Sequence, residues 1–215
     1  MINQSVLSFL KDLKKNNNRE WFEANRHVYN QAREDVITFM NELIQEITLF
    51  DTGVANMDAK KSLFRIYRDT RFSRNKDPYK TNFGAHLGRG EAGYYLHIEP
   101  NKSFVAGGIY MLQNDQLKNL RQEISYNARA FTNLLEEADF LRHFGGLSED
   151  EGKLKRIPRG FEKEDPMGEY LKLKHFIVVR SVTDKELLAE DAAKVFAERY
   201  KSLKPLNDFI NTAVR

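Results

Sequence analysis

The sequence predicts an α+β fold: a mainly antiparallel central sheet with a long N-terminal helical segment and C-terminal helices. Three observations predict it. Apolar residues recur at helical spacing through roughly the first fifty positions. Alternating stretches joined by a short turn cluster in the middle of the chain, and helical periodicity returns between and after them. No internal repeat, low-complexity tract or linker interrupts residues 1–215, so a single domain is expected, with residues 1–50 packed on it as helices.

In order, Val6, Phe9, Leu10 and Leu13 predict an amphipathic helix over 4–15. Asn16, Asn17 and Asn18 break it and offer an N-cap for the next helix. From Arg19, the positions Phe22, Tyr29, Val36, Leu43 and Phe50 repeat every seven, with Phe39, Met40 and Ile47 in the same stripe. This is one long helix or two in line with a break near Asn25. The stripe fits a coiled-coil seam, but its shortness and aromatic content favour a helix lying on its own domain.

After Asp51-Thr52-Gly53, Leu63–Asp69 reads as a strand with Phe64 and Ile66 on one face. Residues 83–87 form a second short strand. Tyr94–Glu99 and Ser103–Tyr110 form a hairpin about Pro100-Asn101-Lys102, with Tyr95, His97 and Glu99 sharing one strand face. Helices are predicted from Asn114 and Asn127, a strand over Phe140–Phe144 and a surface loop over Ser148–Lys153. Asp165-Pro166 should open a short helix, and Leu173–Ser181 gives the strongest strand signal. Thr183 and Glu186 make a capping box, and Pro205 is expected to end the C-terminal helix.

The chain is 41% hydrophobic and 30% charged, ordinary for a globular protein. It contains no cysteine, which excludes disulfides, thiolate zinc sites and cysteine nucleophiles and fits a reducing compartment, the cytoplasm. The N-terminal residues lack signal-peptide features, and no apolar run approaches the ~18 residues that span a bilayer, so no membrane partner is expected. Charge is concentrated. Arg65–Lys80, RIYRDTRFSRNKDPYK, holds six Lys/Arg against two Asp, whereas the whole chain carries +3. Three readings fit this segment: a solvated loop tied by ion pairs, a site for a small anion, or a nucleic-acid surface with aromatic residues among the cations.

Gly88-Arg-Gly-Glu-Ala-Gly93 matches the letters of a dinucleotide fingerprint. A strand follows it where that fingerprint needs a helix, so it reads as a turn. No phosphate-binding loop motif and no metal-ligand spacing occurs among the five histidines, and no cofactor or metal is expected.

The stretches FLKDLKKNNNREWFEANR, FRIYRDTRFSRNKDPYKTN, YYLHIEP, LKRIPRGF and GEYLKLKHF together resemble a widespread microbial family, domain of unknown function 2461. The resemblance runs over nearly the whole chain and implies a single domain without implying a reaction. It directs attention to Trp21, Arg71, Phe72, Lys76, Tyr79, Lys80, His97, Arg159 and Phe161.

The leading expectation from the residues is an anion pocket. Arg65, Arg71, Lys76 and Lys80 supply charge, Tyr79 and Tyr95 form walls, and Arg121 and Arg159 enter from the far side. His97 is the candidate for proton transfer. The alternatives are an enzyme acting on a phosphorylated or carboxylated small molecule, and a module binding nucleic acid or a protein.

Overall fold

The computed structural model describes residues 1–88, 90–149 and 152–215. In chain order, helices α1 (Gln4–Lys15), α2 (Arg19–Ala24), α3 (Arg26–Thr48) and α4 (Ala59–Ser62) precede strands β1 (Phe83–Leu87), β2 (Gly93–Ile98) and β3 (Ser103–Ile109). Helices α5 (Asn114–Tyr126), α6 (Ala128–Glu136), α7 (Ala138–Phe144) and α8 (Gly168–Leu171) come next. The chain then forms β4 (Phe176–Val182), α9 (Asp184–Leu187) and α10 (Ala192–Ala213). The four strands make an antiparallel sheet in the order β1-β2-β3-β4, so each strand lies beside its neighbour in sequence. The fold is α+β. Among the described residues no helix is long and apolar enough to cross a membrane.

The chain packs as two units. The first comprises Met1–Leu87, Tyr95–Val105 and Ser181–Glu198; the second comprises Gly88–Tyr94, Ala106–Arg180 and Arg199–Arg215. In the first, α1 buries Val6, Leu7, Phe9, Leu10 and Leu13 and packs against α3. The Asn18 side chain accepts the Trp21 N–H (2.9 Å) and caps α2. Asn25 separates α2 from α3, its side chain donating to the Trp21 carbonyl (2.9 Å). Along α3, Val36, Phe39, Met40, Leu43 and Ile47 are fully buried, and Phe39 meets Phe196 edge-on at 6.0 Å. The heptad stripe is therefore core. Thr183 and Glu186 form the expected capping box at α9.

In the second unit, α5 turns Leu117, Leu120 and Ile124 inward, and α6 buries Phe131 and Leu135. The side-chain amide of Asn211 pairs with both backbone groups of Ala92, accepting at 2.9 Å and donating at 3.0 Å. It anchors Ala92, within the Gly88–Gly93 motif, of which Arg89 lies outside the described residues. So do residues 150 and 151 of the expected surface loop.

Several expectations are corrected. Leu63–Asp69 is no strand. Its Phe64 N–H donates to Gly84, but Ile66 and Arg68 pair instead with Lys80 and Pro78, beyond the basic loop. Because the segment changes partner midway, only isolated bridges form, Leu63 with Ala85 and Tyr67 with Tyr79. Leu63 and Ile66 are buried while Phe64 is half exposed, so the expected alternation fails.

Phe140–Phe144 lies in a helix, α7. Phe140 and Phe144 meet across one turn, and Gly145, at φ +74°, ends the helix in the left-handed region. Asp165 does not cap α8 directly: it closes a turn, accepting from the Met167 N–H (2.7 Å), and the helix starts at Gly168. Strand β4 begins at Phe176, three residues later than expected. Pro205 sits inside α10, its ring on the exposed face. Leu203, Leu206 and Ile210 carry the buried stripe across it, and that packing outweighs the one missing donor.

Gly108, at φ +90° in β3, lies so close to β4 that a Cβ there would sit 2.0 Å from the Phe176 carbonyl oxygen. At Gly145 a Cβ would meet nothing within 4 Å. In urea denaturation, Gly108→Ala is expected to cost about 3 kcal/mol or more. Gly145→Ala should cost about 1 kcal/mol, from its backbone angle alone. Equal losses would contradict the close packing of β3 on β4.

Candidate functional site

The basic segment is fastened to the N-terminal helices at Tyr79. Asn17 Nδ2 donates to the Tyr79 carbonyl (3.0 Å), and the Tyr79 N–H donates to Asn17 Oδ1 (3.1 Å). The side-chain amide thus supplies the donor and acceptor that a neighbouring strand would supply. Tyr79 is buried, and its ring stacks on Phe22 of α2 at 4.0 Å with a 14° tilt. Both anchors follow from short-range chemistry: the asparagine run cannot continue α1, and the apolar face of α2 offers an aromatic ring.

Beside this junction lies a cleft of about 550 Å³ lined by Arg19, Glu23, Tyr67, Arg68, Lys76 and Tyr79, among others. Glu23 is the one carboxylate among its lining residues, and Arg26 occupies it, with Nε donating to Oε2 at 2.8 Å and Nη2 to Oε1. The Arg26 hydrogen bonds hold the Glu23 carboxyl below the usual carboxylate range. Among the described residues, Arg19, Arg68 and Lys76 make no ion pair, so three cations face one neutralised acid. The Lys76 ammonium also donates to the Thr70 carbonyl (2.9 Å), which clamps the neck of the loop.

The other cations of the segment are placed differently. Arg71 points outward, its side chain 78% exposed, and grips Asp69 through Nε (3.0 Å) and Nη2 (2.7 Å). Those bonds keep the Asp69 carboxyl below its ordinary range. Arg65 is exposed. Lys80 is half-buried, its ammonium 5.5 Å from the centre of the Phe64 ring; burial, and then Arg65, lower its pKa.

Lys80 belongs to a second grouping. Phe64 lies against Tyr95 at 6.1 Å, and the Tyr95 hydroxyl is 3.2 Å from His97 Nδ1. Asn82 Nδ2 is 3.4 Å from the same nitrogen. With Asn82 donating to Nδ1, the imidazole proton sits on Nε2, which donates to Glu99 Oε2 at 3.3 Å. Glu99 Oε1 lies 3.9 Å from the Lys14 ammonium. The His97 ring stacks on Phe104 at 4.5 Å, and burial pulls its pKa below the ordinary value, with Glu99 opposing that shift. Glu99 and Lys14 line a second cleft, of about 430 Å³. The result is a hydroxyl, an imidazole and a carboxylate in line, an order suited to moving a proton.

Arg121 and Arg159 belong to the second unit. Arg121 is buried on the inner face of α5, where Nη2 donates to the Leu173 carbonyl (2.8 Å) and burial lowers its pKa. Its placement serves packing, and its position between Leu117 and Ile124 on the helical stripe is the sequence signal for that. Arg159 is exposed. The predicted residues therefore fall into two groups within the first unit, Lys76 with Tyr79 and Lys80 with Tyr95 and His97, and Arg65, Arg71, Arg121 and Arg159 lie outside both. Arg19 and Arg68 line the larger cleft but were not singled out by the sequence. Among the described residues no group of three or more His, Asp or Glu is placed to hold a metal ion.

Because burial holds His97 neutral, the fold is destabilised as the pH falls through about 6.5, where the unfolded chain takes up the proton first. His86 and His143 are lowered in the same direction, again first by burial. The melting temperature is expected to drop between pH ~7.5 and ~5.5. Imidazole NMR should show the Nε2–H tautomer for His97, and Glu99→Gln should lower its pKa further. A rise in that variant would contradict the pairing.

A family model described as "Conserved hypothetical protein (DUF2461)" matches residues 5–209. No curated protein and no solved structure matches the chain. The match covers almost all of the elements described above, including both clefts, and the chain belongs to the DUF2461 family of conserved hypothetical proteins.

Proposed function

We propose that the protein binds a small anionic ligand, through a phosphate or carboxylate group, in the cleft lined by Arg19, Arg68 and Lys76. The observation that carries this reading is the charge balance of that cleft: three cations without ion pairs, and a single acid already taken by Arg26. Guanidinium forks match the oxygens of phosphate and carboxylate, and the Lys76 ammonium adds point charge. The wall formed by Tyr67 and Tyr79 is stiffened by the Phe22 stack and the Asn17 pairing, so little ordering is left for the ligand to impose. The basic segment of the sequence thus contributes Arg68, Lys76 and Tyr79 to this site, and Arg71 serves the loop.

A second reading, an enzyme acting on the same class of ligand, is favoured by the Tyr95–His97–Glu99 line. His97, kept neutral, would act as the acid or base, and Glu99 would fix its tautomer. In that case His97→Gln abolishes turnover of a phosphorylated or carboxylated substrate and leaves binding in the larger cleft intact.

The test is thermal denaturation with inorganic phosphate, pyrophosphate and a nucleoside monophosphate. At a ligand concentration ~100 times Kd, the melting temperature should rise by about 5 °C or more. Arg68→Ala and Lys76→Ala should abolish the shift, and Arg71→Ala should retain it. A shift that survives Arg68→Ala, or no shift with any of the three anions, would overturn the proposal.

A further inference from the structure

The arginines of the basic segment recur at every third residue, Arg65, Arg68, Arg71 and Arg74, and three large aromatic side chains lie among them. Phe64, Tyr67 and Phe72 are 49%, 44% and 94% exposed. A single exposed apolar residue is ordinary, but three within nine residues, interleaved with Arg65, Arg68 and Arg71, make an aromatic and cationic surface. Phe72 is the extreme case. The Arg71 guanidinium lies 5.9 Å from its ring centre and is itself fixed by Asp69, while the rest of the ring stands in water. The Lys76–Thr70 bond clamps the loop at its neck, and Thr70 and Lys76 also line the anion cleft. One cation of the cleft, Lys76, and the exposed ring of Phe72 are thereby carried by the same seven residues, Thr70–Lys76. A lone phosphate or carboxylate has no use for the ring. A ligand that alternates phosphates with planar bases uses both.

We infer that the ligand of this site is single-stranded nucleic acid, with a backbone phosphate in the Arg19, Arg68 and Lys76 cleft and a base stacked on Phe72. This rests on the anion reading of the cleft. Single strands are specified because the faces of paired bases are already stacked in a duplex, and stacking on a protein ring tolerates any base. Salt dependence follows from the same contact: one backbone phosphate neutralised in the cleft gives a slope of log K against log salt of about −0.7 for a single strand.

The experiment is fluorescence anisotropy of the full chain with labelled 12-nucleotide oligothymidylate and oligouridylate, alongside calorimetry with pyrophosphate. Phe72→Ala removes an exposed ring and leaves the fold intact. It should weaken oligonucleotide binding about tenfold or more and leave pyrophosphate binding unchanged. Arg68→Ala should weaken both. Pyrophosphate binding without oligonucleotide binding, or oligonucleotide binding indifferent to Phe72→Ala, overturns the nucleic-acid inference and leaves the anion cleft standing. Binding of duplex DNA or polyglutamate as tightly as the single strand also overturns it. Failure of both probes to bind overturns the cleft and the inference together.

Discussion

The pairing of the Asn17 side chain with the backbone of Tyr79 joins residues 62 apart in sequence, and the candidate site depends on it. Asparagine offers a donor and an acceptor on one planar group, so it satisfies both backbone groups of Tyr79 where no strand neighbour exists. The stack of Phe22 on Tyr79 buries the tyrosine ring beside this junction, whose two hydrogen bonds join part-buried groups. The basic segment therefore leaves the first unit's core at a fixed point and angle. The amide joins the Phe22 stack and the backbone bonds of Ile66 and Arg68 in holding the tyrosine wall beside Arg19, Arg68 and Lys76.

Charge is sorted along the same stretch by what each cation meets first. Arg26 takes Glu23, and Arg71 takes Asp69, each through two donors on one carboxylate. Those pairs are exposed, so their value lies in fixing geometry more than in stability. They also remove the acids that would otherwise cancel Arg19, Arg68 and Lys76. A net local charge of +4 in sequence becomes a smaller, directed charge in space. The sheet face carrying Tyr95, His97 and Glu99 obeys a different rule: there burial keeps the imidazole neutral, and hydrogen bonds decide where its proton sits.

Much of the fold was legible because its causes are local. The stripe of α1, the Asn18 cap, the break at Asn25 and the Thr183–Glu186 box each depend on residues within a turn or two of one another. The alternation of Tyr94, Leu96 and Ile98 was equally local. The misreadings share a different origin. Leu63–Asp69 alternates like a strand but changes partner midway, which only the return of residues 78–80 reveals. Phe140–Phe144 is too short for period to separate helix from strand, and Pro205 was outweighed by the packing of Leu203, Leu206 and Ile210. At the candidate site, the basic segment drew attention by composition. Arg19 did not, because it lies outside that segment in sequence and meets it only in the fold. Arg71 looked like a ligand residue in sequence, and Asp69, two residues away, was the clue that it is already engaged.

A crystal structure of the protein with inorganic phosphate checks the proposal that the Asn17–Tyr79 junction sets three cations without ion pairs around an anion cleft. Phosphate should be bound between Arg19, Arg68 and Lys76, with the Asn17 amide still paired to Tyr79. Phosphate lodged against Lys14 beside Glu99, or an empty larger cleft with Arg68 paired to a carboxylate, would contradict it.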